Sequence, residues 1–308
     1  MIKIFEHNSK LRNFIGRTLR FLRFFFQYKM KGIAVLNGQA GNDRIRDLLN
    51  SNTPFLVGRI GANEQIVINE WHKSKSFSKN ACTKIQNEAG LFPSSHDNLV
   101  KFVKIYEESL SYCELLGVWG NPGESQTIKR NCHNTELTKL RSLESYYWTQ
   151  PWTELLREKK VLVIHPFADT IKKQFSHRKN LFRNHTNEVI PEFQLITYKA
   201  IQALDPTTLP FKNWFEALDH MKIEISPLDF DIALIGAGAF GLPLAAYIKT
   251  KLNKSAIVTA GATQLYFGII GNRWNRHEVS KFFNEYWVRP SLGEIPKTAK
   301  DVEGACYW

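Results

Sequence analysis

This chain of 308 residues has only four cysteines, Cys82, Cys113, Cys132 and Cys306, spread far apart and with no Cys-x-x-Cys pair among them. That spacing argues against a zinc site and offers no disulfide framework, which fits a reducing cytoplasm. No stretch approaches the roughly twenty consecutive apolar residues that a membrane-spanning helix needs. The N-terminus is basic, but its apolar stretch is short, is broken by arginines and lacks a small-residue cleavage site, so a secretory signal is not expected. Internal repeats and low-complexity tracts are also missing.

Acids are nearly absent from residues 1–31. There Glu6 stands alone against Lys3, Lys10, Arg12, Arg17, Arg20, Arg23, Lys29 and Lys31, within a chain of net charge +12. The same stretch holds Phe14, Ile15, Leu22, Phe25 and Phe26, which share a face of a helix flanked by arginines. Basic amphipathic helices rich in Phe and Leu lie in the headgroup region of anionic membranes, so residues 10–31 are expected at such a surface. The competing expectation is that the helix packs on the core or on a second subunit, giving a homodimer. Nucleic acid is the least favoured partner of the three.

The apolar fraction of 43% and charged fraction of 23% are ordinary for a soluble globular protein. Short apolar runs at Phe55–Gly58, Leu115–Trp119, Val161–Ile164, Asp231–Ile235 and Ala256–Thr259 read as buried strands. Helical spacing follows at Ala62–Trp71, Asn98–Ser111, Leu137–Leu156 (with a break near Pro151), Ala168–Phe175, Trp214–Met221 and Leu244–Leu252. A short helix fits Asp43–Asn50, after the Gly/Asn-rich break 37–42. Strands alternating with helices predict an α/β fold, a mostly parallel Rossmann-like sheet covered on both faces. The expected organisation is a basic segment 1–50 followed by an α/β domain 51–308, with any two halves meeting near 150–160.

Ligands of open α/β sheets sit beyond the carboxyl ends of the strands. Those ends collect Arg59, Gly61 and Glu64, then Trp119 and Asn121, His165, Gly236, Gly238 and Gly241, and Gly261. Gly236-x-Gly-x-x-Gly241 follows a strand and opens a helix, where backbone N–H groups suit a diphosphate; close helix–strand packing would need the same glycines. A dinucleotide site adds an acid at the end of the next strand, and Val258-Thr259-Ala260-Gly261 has none, so NAD is disfavoured. His165 reads either as a hydrogen-bonded structural histidine or as a phosphate or sugar contact. In Arg59-Ile60-Gly61-Ala62-Asn63-Glu64 the arginine offers a fork of donors for phosphate, and the glutamate a proton acceptor or a metal ligand. A turn with a surface ion pair is the plainer alternative.

This motif resembles that of bacterial glycosyltransferases of the GT-D fold type, whose better-known members read Arg-(aromatic)-Gly-Asp-Gly-Glu. Residues 161–167, 213–219, 229–241, 260–274 and 303–308 are similar to the same proteins, so the likeness runs through most of the chain from Phe55 onward. The resemblance implies transfer of a sugar from a nucleotide-diphosphate donor to a hydroxyl acceptor, a lipid-linked glycan in cell-surface polysaccharide assembly. It implies a cytoplasmic protein, peripheral on the inner membrane face. On this reading Glu64 is the catalytic base, and Arg59, Gly61, Asn121, His165, Gly236, Gly238 and Gly241 contact the nucleotide-sugar. The metal-binding Asp of the motif is Ala62 here and its second glycine is Asn63. No metal is therefore required, Mg²⁺ or Mn²⁺ is disfavoured, and Glu64 is the residue to hold one if any does. The rival classes are a nucleotide-dependent oxidoreductase using the 236–241 loop and a basic membrane- or nucleic-acid-binding protein.

Overall fold

A computed structural model describes residues 18–19, 21–203, 208–276, 278–301 and 305–308. Seven parallel strands form one sheet: β1 (Leu56–Arg59), β2 (Leu115–Val118), β3 (Glu136–Lys139), β4 (Lys160–His165), β5 (Gln194–Lys199), β6 (Ile232–Ile235) and β7 (Ser255–Val258), in the order β3-β2-β1-β7-β6-β4-β5. Val57 registers with Leu115 on one side of β1, and Leu56 with Ala256 on the other.

The middles of the central strands are apolar because both their faces are covered. Alternate residues of β4 divide between the two layers: Leu162 and Ile164 pack with Val67, Phe102 and Trp214, while Val161 and Val163 pack with Ile45, Trp152 and Phe167. The first layer holds α2 (Ala62–Ser74), α3 (Lys79–Ala89), α4 (His96–Ser111), α5 (Glu124–Asn131), α7 (Trp214–Ile225) and α8 (Gly241–Leu252). The second holds α1 (Gly38–Asn50), α6 (Ala168–Gln174), α9 (Ala262–Tyr266) and the irregular C-terminal third. Ser78, Ser95 and Asn213 cap their helices by accepting backbone N–H bonds, which fixes those starts locally.

The chain leaves β1 into the first layer and β7 into the second, so these neighbouring strands splay their following segments to opposite faces. The same happens between β4 and β6. Such divergence opens a crevice at the carboxyl edge.

All five expected strands form, and β3 and β5 join them at the two edges. Residues 137–156 are not a helix: β3 pairs with β2, and three short 3-10 turns follow at Leu140–Leu143, Ser145–Tyr147 and Trp152–Leu156. Tertiary pairing with β2 overrides the local helical spacing there. The Gly/Asn-rich stretch 37–42 starts α1 rather than breaking the chain. Asn37 accepts from the Ala40 N–H as N-cap, and Gly38 and Gly41 admit Trp148, Thr138 and Ser142 against the helix.

At the N-terminus, residues 21–27 are helical, with Phe24 and Tyr28 turned onto the first layer. Residues 10–17 and Arg20, which the sequence assigns to the same amphipathic stretch, lie outside the described residues.

Candidate functional site

β1 delivers Arg59, Ile60 and Gly61 to the carboxyl edge, where α2 begins with Gly61 as its N-cap. Glu64 is the third residue of that helix, the position from which a glutamate reaches back toward the cap. It does so here. A β-carbon on Gly61 would stand 1.9 Å from Glu64 Oε2, so the glycine is the space that the carboxylate occupies. Glu64 is buried, and desolvation raises its pKa above the ordinary glutamate value, against a backbone hydrogen bond and the Arg59 charge, which lower it. The spacing Arg-x-Gly-x-x-Glu is thereby accounted for: strand end, N-cap, and helix position three.

Arg59 is half-buried and lies over the Trp119 ring, 5.1 Å from its centroid. Among the described residues its guanidinium has no ion pair and no hydrogen-bond acceptor. Trp119 is itself fixed: its indole N–H donates to the Ile60 carbonyl (3.1 Å) and its backbone N–H to Glu124 Oε2 (3.1 Å). The Tyr106 hydroxyl bridges the same turn, donating to the Arg59 carbonyl and accepting from the Gly61 N–H, both at 3.4 Å. A cation held over an aromatic ring, with its donor fork unused, is ready to receive a phosphate or carboxylate.

Glu144 belongs to the same electrostatic neighbourhood and escapes sequence reasoning. It lies just after the 3-10 turn that follows β3, partly covered. Burial pushes its pKa up to about 7, opposed by the charges of Arg141 and Arg59 and aided by that of Glu278. Its local sequence shows only Arg141; Arg59 from β1 and Glu278 from the C-terminal third reach it through the fold.

His165 ends β4, buried; desolvation lowers its pKa to about 3, so the ring is neutral. Its Nδ1 accepts the Phe167 N–H at 3.0 Å, which leaves the ring proton on Nε2. His165 packs against Gly236: a β-carbon there would stand 2.7 Å from its Cδ2, and 2.6 Å from both the Ala260 carbonyl and Thr263 Oγ1. A β-carbon on Gly238 (φ 51°) would likewise stand 2.7 Å from the Ala89 carbonyl. Close packing thus accounts for two glycines of the 236–241 loop, while Gly241 has room for a methyl. Ala260, just beyond β7, adopts a left-handed backbone (φ 49°), a conformation that costs an alanine about 1 kcal/mol.

Asn121 lies beyond β2, its carbonyl accepting from Gln27 (2.9 Å) and its side-chain Nδ2 buried without a partner. The N-terminus of α6 is already occupied by a carboxylate: Glu294, buried, accepts the N–H groups of Asp169 (2.9 Å) and Thr170 (3.2 Å). A phosphate at that helix would have to displace it.

Of the sequence-derived residues, Arg59, Gly61 and Glu64 form one unit, joined by Trp119. His165 and Gly236 form a second, closely packed one. The donor set around Glu64 does not fit a divalent cation: Ala62 has no ligand atom, and the Asn63 amide donates to Glu88 at 2.9 Å. Among the described residues no group of three His, Cys, Asp or Glu gathers around a common point. A groove of about 980 Å³ runs along the β3 edge between Val35 and Lys129, and another of about 400 Å³ lies at the amino ends of the strands. Neither reaches Arg59. Just beyond β7, Trp274 and Tyr307 pack closely against Gly261. Among the described residues no helix is long and apolar enough to cross a membrane.

No family model matches this chain, and no curated protein does. A solved structure described as a selenomethionine-substituted domain of unknown function 1792 (DUF1792) has 12% sequence identity and a TM-score of 0.46, covering 88% of this chain and 96% of its own. A likeness that slight does not bear on activity.

Proposed function

We propose that the protein is a glycosyltransferase that moves a sugar from a nucleoside-diphosphate donor to a hydroxyl acceptor. The observation that carries this reading is the half-buried Arg59, over the Trp119 ring with no ion pair or hydrogen-bond acceptor among the described residues, beside the buried carboxylate of Glu64. Glycosyl transfer needs these two chemistries side by side: a cation for the departing diphosphate and a carboxylate for the acceptor proton.

In this scheme Arg59 binds the β-phosphate of the donor with its donor fork. The acceptor oxygen bonds to the anomeric carbon as the bond from that carbon to the diphosphate breaks. Glu64 takes the acceptor's hydroxyl proton, and the electron pair leaves with the nucleoside diphosphate. The desolvation that raises the Glu64 pKa makes it a stronger base than an exposed glutamate. Asn121, His165 and the 236–241 loop contribute contacts to the nucleotide and sugar. No step runs through a metal. The acceptor we favour is a lipid-linked glycan of cell-surface polysaccharide assembly.

Calorimetric titration with UDP, GDP, CDP, dTDP and NAD, each with and without Mn²⁺, tests this. Metal-indifferent binding of one nucleoside diphosphate, weakened about tenfold or more in Arg59→Ala, is expected from the loss of a charge-assisted bidentate contact. Binding of NAD alone would transfer the site to a different chemistry.

A further inference from the structure

Residues 21–27 carry apolar side chains that the fold does not cover. Phe21 is 68% exposed, Phe26 55%, and Leu22 and Phe25 about 40%; Met30 follows at 64%. Phe24 and Tyr28, on the other side of the helix, are the ones the core takes. The exposed set is therefore not a poorly packed core helix but the outer face of one that is already seated. The charges on this stretch itself are all positive. Lys29 and Lys31 are exposed, Arg23 is half-exposed, and the first 31 residues contain a single acid.

We propose that this face docks on an anionic lipid bilayer, with its aromatic and aliphatic side chains in the headgroup region and the lysines on the phosphates. A second copy of the chain is the poorer occupant. A symmetric pairing would set two basic helices against each other with no acid between them, whereas an anionic bilayer complements that charge. Leu22 and Met30 have nothing to stack on a nucleobase, but both are apolar and partition into a bilayer interface alongside the phenylalanines.

The helix is also wired to the candidate site. Gln27 Nε2 donates to the Asn121 carbonyl (2.9 Å), and Gln27 Oε1 accepts from the Ser125 N–H (3.1 Å). The Tyr28 hydroxyl donates to Glu124 Oε2 (2.8 Å), the oxygen that also holds the backbone N–H groups of Trp119 and Gly120. A bilayer bound by the helix is thus rigidly positioned with respect to Trp119 and, through it, Arg59. The docking itself does not depend on the transferase reading.

The test is flotation of the full chain with phosphatidylcholine vesicles, with and without phosphatidylglycerol. Two charge- or apolarity-selective variants accompany it, Phe21→Ser/Phe26→Ser and Lys29→Gln/Lys31→Gln. Binding to the anionic vesicles only, weakened by salt, by the Lys pair and at least about tenfold by the Phe pair, is expected. Unchanged thermal melting of both variants would show that the exposed positions do not support the fold. Absence of flotation on anionic vesicles, or equal flotation of the Phe variant, would overturn the proposal. A dimer in solution that the Phe variant converts to monomer, without lipid binding, would overturn it in favour of self-association.

Discussion

The carboxylate of Glu64 occupies the space that a side chain on Gly61 would fill, with Oε2 lying 1.9 Å from where the β-carbon would stand. Gly61 has an ordinary extended backbone (φ −70°), so an alanine there is conformationally acceptable and only the carboxylate must move. Gly61→Ala is therefore expected to melt within a few degrees of the parent yet to lose nucleotide-sugar turnover as completely as Glu64→Gln. Comparing the two variants in one transferase assay checks this; an active Gly61→Ala would remove Glu64 from the reaction.

Glu64→Gln itself separates function from stability. Burial raises the Glu64 pKa in the folded chain, so ionising the group disfavours folding: its contribution is complete below the unfolded glutamate value and is lost as pH rises through the folded one. Glutamine keeps the shape and an acceptor without the charge. The variant is expected to be inactive and to melt no lower than the parent at neutral pH, measured by calorimetry.

Glu144 shifts in the same direction as Glu64, and its readout is a pH profile. Its pKa of about 7 lies above its ordinary 4.5, so its share of folding stability falls between those two values as pH rises. Glu144→Gln is expected to flatten the stability profile across that window. If the residue also contributes to turnover, an ionisation near pH 7 will vanish from the rate profile of the variant. A parent profile flat from pH 5 to 8 would remove Glu144 from the site.

His165 is expected to stay neutral, with its proton on Nε2, down to about pH 4, because burial holds its pKa near 3 and the Phe167 N–H occupies Nδ1. Nitrogen-detected NMR of the imidazole reads the tautomer directly. An imidazolium signal at pH 6 would contradict the burial described here.

Gly238→Ala should destabilise by about 1–3 kcal/mol, since it forces an alanine into a left-handed backbone and toward the Ala89 carbonyl. Gly241→Ala, with space around it, should cost far less. Chemical denaturation of the pair distinguishes a packing role of this loop from a ligand role, which would instead appear as equal losses of nucleotide affinity in both.

The central strands were legible in sequence because a strand buried on both faces is written as a short apolar run: Leu56-Val57, Val161 to Ile164 and Ile232 to Ile235 could hardly be anything else. The edges were not. β3 reads Glu-Leu-Thr-Lys, with its outer residues in water, and only its pairing with β2 makes it a strand. The Arg59, Gly61 and Glu64 grouping was visible because it is local, one turn joining a strand to a helix. The approach of Glu144 to Arg59 and Glu278, the Trp119 platform and the packing of His165 on Gly236 come from residues brought together by the fold, and no spacing along the chain encodes them.

β1 is an interior strand between β2 and β7, and β7 comes 196 residues after β1 ends, from Arg59 to Ser255. The strand that presents Arg59 therefore closes over a very long loop, and such pairings form late in folding. During synthesis the apolar edge of Leu56 and Val57 waits unpaired until almost the whole chain has emerged. A nascent or truncated chain ending before Ser255 would thus expose its aggregation-prone edge at the very strand from which the site is built.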